Sequence, residues 1–149
     1  MFTAAPPSYV LEHEPSHPQI AALHFESRLS VETDPSDVYH DLQAGVEGLT
    51  IIDARSLEAY EQAHVSGAIS FPYRSINEET VSSLKKDGII VVYCWGPGCN
   101  AGCKAGVRLA NLGYRVKEMI GGFEYWVKEG YPVEGIHADD PPIYNPKPS

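Results

Sequence analysis

Cys94, Cys99 and Cys103 are the only cysteines of the 149-residue chain, and all lie within ten consecutive positions. An odd number clustered this way is not the framework of a disulfide-stapled secreted domain. Zinc wants four ligands, and the six histidines are scattered without metal spacing, so no metal is expected. What remains is thiolate chemistry. Cys94 follows Gly88-Ile89-Ile90-Val91-Val92-Tyr93 and precedes Trp95-Gly96-Pro97-Gly98-Cys99-Asn100-Ala101-Gly102. The β-branched run predicts a buried strand, and the glycine-rich stretch predicts a loop that feeds a helix. A thiol at the carboxyl end of such a strand faces the crevice where open α/β sheets bind ligands. Backbone N–H groups and a helix N-terminus there lower a thiol pKa and hold anions beside it. Cys94 is therefore the expected nucleophile, acting on a small anionic or sulfur-bearing substrate.

The surrounding residues are read from that thiol outward. Gly96, Gly98 and Gly102 are expected to take positive φ and turn the N–H groups of residues 95–100 inward as an anion nest. The substrate loop then comprises Trp95, Gly96, Pro97, Gly98, Cys99, Asn100 and Ala101, with Lys104 offering a cation from the first helical turn. Trp95 either lids the pocket or contacts a partner, or only packs at the loop base. Asn100 reads as a helix cap rather than a pocket ligand. Cys99 has two readings: a resolving thiol that closes a Cys94–Cys99 disulfide, or a small loop residue without a role. Cys103 reads as a filler on the helix face.

The elements that must position these residues alternate in type. Thr33-Asp34-Pro35-Ser36-Asp37 predicts a helix start, with Val38, Leu42 and Val46 at helical spacing. Leu49 to Asp53 is a short buried strand, Ser56 caps a helix over Leu57 to Gln62, and Ala68 to Phe71 is a second strand ended by Pro72. Asn77 predicts a cap for a helix through Val81 and Leu84. Strand 89–93, the cysteine loop and a helix with Ala105, Leu109 and Leu112 on one face come next. Gly113 stops that helix. A strand over Arg115 to Met119 and a helix over Gly122 to Glu129 complete the pattern. Strands separated by helices predict an α/β fold with a parallel sheet covered on both faces.

Four segments taken together resemble the single-domain rhodanese (sulfurtransferase) family. Ile51-Ile52-Asp53-Ala54-Arg55 is similar to its strand ending in Asp-x-Arg. Tyr60 to Ile69 is similar to its Tyr…Gly-His-Ile-x-Gly-Ala segment, with Ala63 in place of the usual glycine. Val91-Val92-Tyr93-Cys94 matches the strand that delivers the reactive cysteine. Gly121-Gly122-Phe123-Glu124-Tyr125-Trp126 and Gly130-Tyr131-Pro132-Val133 match its C-terminal signature. Agreement of several segments in order is what makes the resemblance specific. It implies a five-stranded parallel sheet flanked by helices on both faces. It also implies a Cys94 thiolate that takes sulfane sulfur from a small sulfur-bearing anion and passes it, as a persulfide, to a thiol or protein acceptor. Asp53 and Arg55 resemble the family's acidic and basic pair, in a supporting role as a salt bridge or through loop hydrogen bonds. His64 resembles its turn-fixing histidine. No organic cofactor is implied.

The loop departs from the family form Cys-x-x-Gly-x-Arg. It is longer, and Ala101 or Gly102 stands where the closing arginine is expected. A longer cradle admits a bulkier substrate, and related folds with enlarged loops act on phosphate or arsenate. Two alternatives to sulfur transfer therefore stand: a thiol-dependent oxyanion reductase or phosphatase-like enzyme using Cys94 and Cys99, and a non-catalytic binding module of the same fold.

The bulk properties bound the rest. A formal net charge of −9 is opposed to a nucleic-acid partner, and no run reaches the length of a membrane span. The N-terminus lacks the features of a secretory signal, so a cytoplasmic location is expected. Residues 1–28 read as an extension that is extended or holds a short helix near Gln19 to Arg28. Residues 29–136 read as the domain, and 137–149 as a proline-rich tail. A monomer or weak dimer is the expected state.

Overall fold

In the computed structural model, which describes residues 7–145, two β-branched runs form the middle of a parallel sheet. The chain divides into a unit ending at Ser30 and one beginning at Val31. The first holds most of helix α1 (Pro18–Val31), with Pro18 opening it, and none of that helix's residues is buried.

The second unit contains the sheet. In chain order it runs β1 (Glu32–Thr33), α2 (Pro35–Gln43), β2 (Leu49–Asp53), α3 (Leu57–Gln62), β3 (His64–Val65), β4 (Ile69–Ser70) and β5 (Ile89–Tyr93). Then follow α4 (Ala101–Asn111), β6 (Arg115–Met119), α5 (Gly122–Lys128) and β7 (Val133–Glu134). The five strands are ordered β1-β6-β5-β2-β4 and all pair in parallel, as predicted. β3 and β7 form a separate antiparallel pair.

Period-two alternation sorts the side chains between two cores. Ile51, Val91 and Tyr93 point to the face covered by Val38 of α2 and by Phe123 and Trp126 of α5. Ile52, Ile90 and Val92 point to the opposite face, against Ala105 and Leu109 of α4. In the β2–β5 register Asp53 lies opposite Tyr93, so the chain leaving β2 emerges level with Cys94. Side-chain caps start two helices where the sequence placed them: Asp34 accepts from Asp37 N–H at 2.8 Å, and Ser56 from Ala59 N–H at 3.2 Å.

The segment after Asn77 differs from expectation. Asn77 does cap, its Oδ1 accepting from Thr80 N–H at 2.9 Å, but the residues through Leu84 form turns rather than a helix. The Thr80 hydroxyl donates back to Ser75 O at 2.6 Å, and the bonds at Ser82 and Leu84 reach only three residues back. A short side chain competing for the backbone in this way stops helical propagation. Val46 likewise lies beyond the end of α2 and is exposed.

Candidate functional site

Cys94 stands at the carboxyl end of β5 and is 4% exposed. Its carbonyl and that of Trp95 accept from Phe123 N–H and Glu124 N–H at 2.9 and 2.8 Å. Two N–H groups of the first turn of α5, which have no partner within the helix, thus clamp the cysteine backbone. This contact explains the Gly121-Gly122 pair. Gly122 has φ +59, and a β-carbon there would lie 2.6 Å from Cys94 O and 2.8 Å from Gly96 N. Only a residue without a side chain fits between α5 and the loop.

Beneath the loop lies a buried ion pair. Arg55 Nη2 donates to Asp53 Oδ2 at 2.7 Å, and both side chains are fully enclosed. Arg55 also donates to Ala63 O at 2.6 Å, while Tyr93 OH donates to Asp53 Oδ2 at 2.6 Å and accepts from Val65 N–H at 3.1 Å. The guanidinium lies in the corner between the rings of Trp95 and Phe123, 4.4 and 4.3 Å from their centroids, the two rings being edge-to-face to one another. Such stacking spreads its charge over aromatic faces. Burial, together with the Asp53 carboxylate, holds the Tyr93 phenol well above its ordinary range, so it stays a donor. Trp95 is therefore part of the loop base, resting on Arg55. His64 is fixed by the chain turn: its Nδ1 lies 2.7 Å from Tyr60 O and its ring stacks on Tyr60 at 3.7 Å.

Of the two readings of Cys99, the bond of the first is present: Cys94 Sγ is bonded to Cys99 Sγ, with the two Cα atoms 6.2 Å apart, so Cys94 is not the free thiol expected of a nucleophile. The cysteine loop differs from expectation in three further respects. Gly96, Gly98 and Gly102 do not take positive φ. The smallness of two of them serves approach instead: a β-carbon at 96 would lie 2.7 Å from Glu124 Oε1, and one at 102 would lie 2.7 Å from Glu118 Oε2. Asn100 holds the N-cap position of α4 but makes no side-chain capping bond. Cys103 is exposed, because the buried face of α4 runs through Gly102, Ala105 and Leu109 and leaves position 103 outside it.

A cavity of about 360 Å³ opens on the loop, lined by Trp95, Gly96, Gly98, Cys99, Asn100 and Glu124 together with Ile143, Tyr144 and Asn145. Cys94, Pro97, Ala101 and Lys104 are not among its lining residues. Lys104 reaches the other way, its ammonium 5.3 Å from the Tyr73 ring, which Arg74 and Arg108 also approach. The hydrogen bond from Arg74, then these cations, pull the Tyr73 phenol below its usual value. Among the described residues the one charged group on the cavity wall is the Glu124 carboxylate, paired with Lys128 at 2.5 Å. Glu124 and the tail residues 143–145 were not singled out as site residues by the sequence, in which Gly121 to Trp126 stood only as part of the family's C-terminal signature. Among the described residues no cluster of His, Cys, Asp and Glu could hold a metal ion, and no helix is long and apolar enough to cross a membrane.

The molecule is thus a parallel α/β domain that presents a cysteine loop at its strand ends. The rhodanese-like domain model matches residues 34–129, and the chain belongs to that family. Among curated proteins it is 34% identical over 113 residues to the chloroplastic thiosulfate sulfurtransferase 16 of Arabidopsis thaliana, covering 65% of this chain and 88% of that one. It is 35% identical over 77 residues to the thiosulfate sulfurtransferase PspE of Escherichia coli, covering 49% and 69%. Among solved structures, the BH2092 protein of Bacillus halodurans superposes with a TM-score of 0.83 at 44% identity, covering 86% of this chain and 93% of that one.

Proposed function

We propose that the protein is a sulfurtransferase in which Cys94, with the loop reduced, carries sulfane sulfur from a small donor to a thiol or protein acceptor. The observation that carries this reading is the placement of Cys94: carboxyl end of a buried central strand, backbone clamped by α5, and bonded to Cys99, which with Trp95 and Gly96 lines a cavity of about 360 Å³. The curated relatives named as thiosulfate sulfurtransferases support it. The thiolate attacks the outer sulfur of the donor, the donor's bond to that sulfur breaks, and its remainder leaves with the electron pair. Two-step transfer needs a nucleophile able to hold the group covalently between donor and acceptor, and a thiolate does this. Asp53 and Arg55 position the loop from below through Trp95.

The wall of the cavity argues about the donor. Thiosulfate is a dianion, and the cavity offers it a carboxylate where an arginine would serve better. An organic sulfane donor with less charge suits the wall better. The disulfide gives a second reading some standing, an oxyanion reductase using both thiols. The same acidic wall counts against it, since arsenate and phosphate are anions as well. Steady-state formation of thiocyanate from cyanide, with thiosulfate and with 3-mercaptopyruvate as donors, tests the proposal. Turnover by reduced protein that is abolished in Cys94→Ser is the expected result; turnover that survives in Cys94→Ser, or none with either donor, overturns it.

A further inference from the structure

We propose a second activity at this loop, resting on the persulfide reading above: release of hydrogen sulfide by an internal relay, with Cys99 as the displacing thiol and a dithiol as external reductant. Three observations lead there. The Cys99 sulfur reaches Cys94 Sγ, because the two are bonded. The loop is folded so as to hold it there, Cys99 N–H donating to Gly96 O at 3.1 Å. The two residues are unequally exposed. Cys94 is 4% exposed, whereas Cys99 is partly exposed and lines the cavity.

The relay follows from ordinary thiol exchange. Once Cys94 holds a persulfide, the Cys99 thiolate attacks Cys94 Sγ. The bond from Cys94 Sγ to the outer sulfur breaks, and that sulfur leaves with the electron pair as hydrosulfide. A persulfide on Cys94 and a thiol on Cys99 thus become the Cys94–Cys99 disulfide and hydrogen sulfide. The sulfane sulfur is reduced by two electrons and the protein thiols are oxidised by two. The state seen in the structure is the product of this step. The loop is reset by a dithiol, whose first thiolate attacks the accessible Cys99 Sγ and expels the buried Cys94 thiolate. The second thiol of the reductant then releases Cys99 and leaves as a disulfide. An internal thiol has a large advantage of proximity over a free acceptor, which must reach a nearly enclosed Cys94 past a carboxylate.

The test is a single turnover of the full chain, reduced and freed of reductant, with thiosulfate or 3-mercaptopyruvate. Sulfide is trapped with a bimane and intact protein mass is read without reduction. Wild type is expected to yield one sulfide per protein and a chain lighter by two hydrogens. Cys99→Ser is expected to keep the added sulfur, with sulfide release lowered by more than about tenfold. Wild type that retains the sulfur, or Cys99→Ser that releases sulfide as fast as wild type, overturns the relay and leaves the persulfide reading standing. A Cys99→Ser protein that takes up no sulfur from either donor overturns the persulfide reading, and the relay with it. As a separate check on the reset step, glutathione added to the oxidised protein should form its mixed disulfide on Cys99 and leave Cys94 open to alkylation. The opposite assignment refutes the proposed order of attack.

Discussion

Replacing Gly122 by alanine puts the clamp between α5 and the cysteine loop to the test. The backbone there has φ +59, a region that costs an L-residue about 1–2 kcal/mol. The new β-carbon would also lie 2.6 Å from Cys94 O, 2.8 Å from Gly96 N and 2.9 Å from Trp95 C. All three are backbone atoms, so no rotamer change relieves the overlap, and overpacking of this kind costs a further ~1–3 kcal/mol. A total near ~3 kcal/mol is expected. Gly67→Ala is the control: φ is +85, but nothing lies within 4 Å of the added carbon. It should cost only the backbone part, about 1–2 kcal/mol. Urea unfolding of both variants measures the difference, and the rate of sulfur loading on reduced protein measures its consequence. A shift of Cys94 by about 1 Å should slow loading by roughly a hundredfold in Gly122→Ala, with little change in Gly67→Ala. Equal destabilisation of the two variants, with equal loading rates, would refute the clamp.

Three further outcomes follow from the same contacts. Tyr93→Phe keeps the ring in the core but leaves Val65 N–H without its partner and removes a donor from Asp53; a loss of about 3 kcal/mol in urea unfolding is expected, and a loss below ~0.5 kcal/mol would show that the network contributes little. Glu124→Gln removes the carboxylate from the cavity wall and leaves the Lys128 cation beside it. With ~1 kcal/mol between charges about 4 Å apart in a water-like medium, kcat/KM for thiosulfate should rise about fivefold at low salt, and the gain should shrink as salt is added. An unchanged value would remove Glu124 from donor selection. Burial, and then Glu32, raise the Glu118 carboxyl above 4.5, so the folded state binds this proton more tightly than the unfolded chain. Its contribution to stability therefore falls as pH rises from 4.5 through the raised value, and Glu118→Gln should flatten that part of the stability curve. An unaltered pH dependence would contradict the assignment.

The parts of this structure that rest on periodicity and caps were legible in the residues. The continuous apolar runs at Ile89 to Tyr93 and Leu49 to Ile52 predict buried strands, and Asp34 and Ser56 open helices as cap chemistry requires. What was not legible depends on partners distant in sequence. The glycines of the cysteine loop suggested unusual backbone angles, but two of them make room for the carboxylates of Glu124 and Glu118. Asn77 promised a helix that Thr80 diverts into turns. Cys103 was misplaced for a local reason: with Ala105 and Leu109 inward, helical phase already puts position 103 outside. The approach of Ile143 to Asn145 to the loop lies in a stretch with no periodic pattern to read.

The central claim, that Cys94 carries the transferred sulfur, is tested most directly by locating that sulfur. Reduced Cys99→Ser protein is treated with 3-mercaptopyruvate or thiosulfate, alkylated and mapped by peptide mass. One added sulfur is expected on Cys94 itself, distinguished from Cys103 by fragmentation of the peptide, and lost on treatment with cyanide. No adduct while Cys94 remains open to alkylation, or a sulfur found on the exposed Cys103 instead, would contradict it.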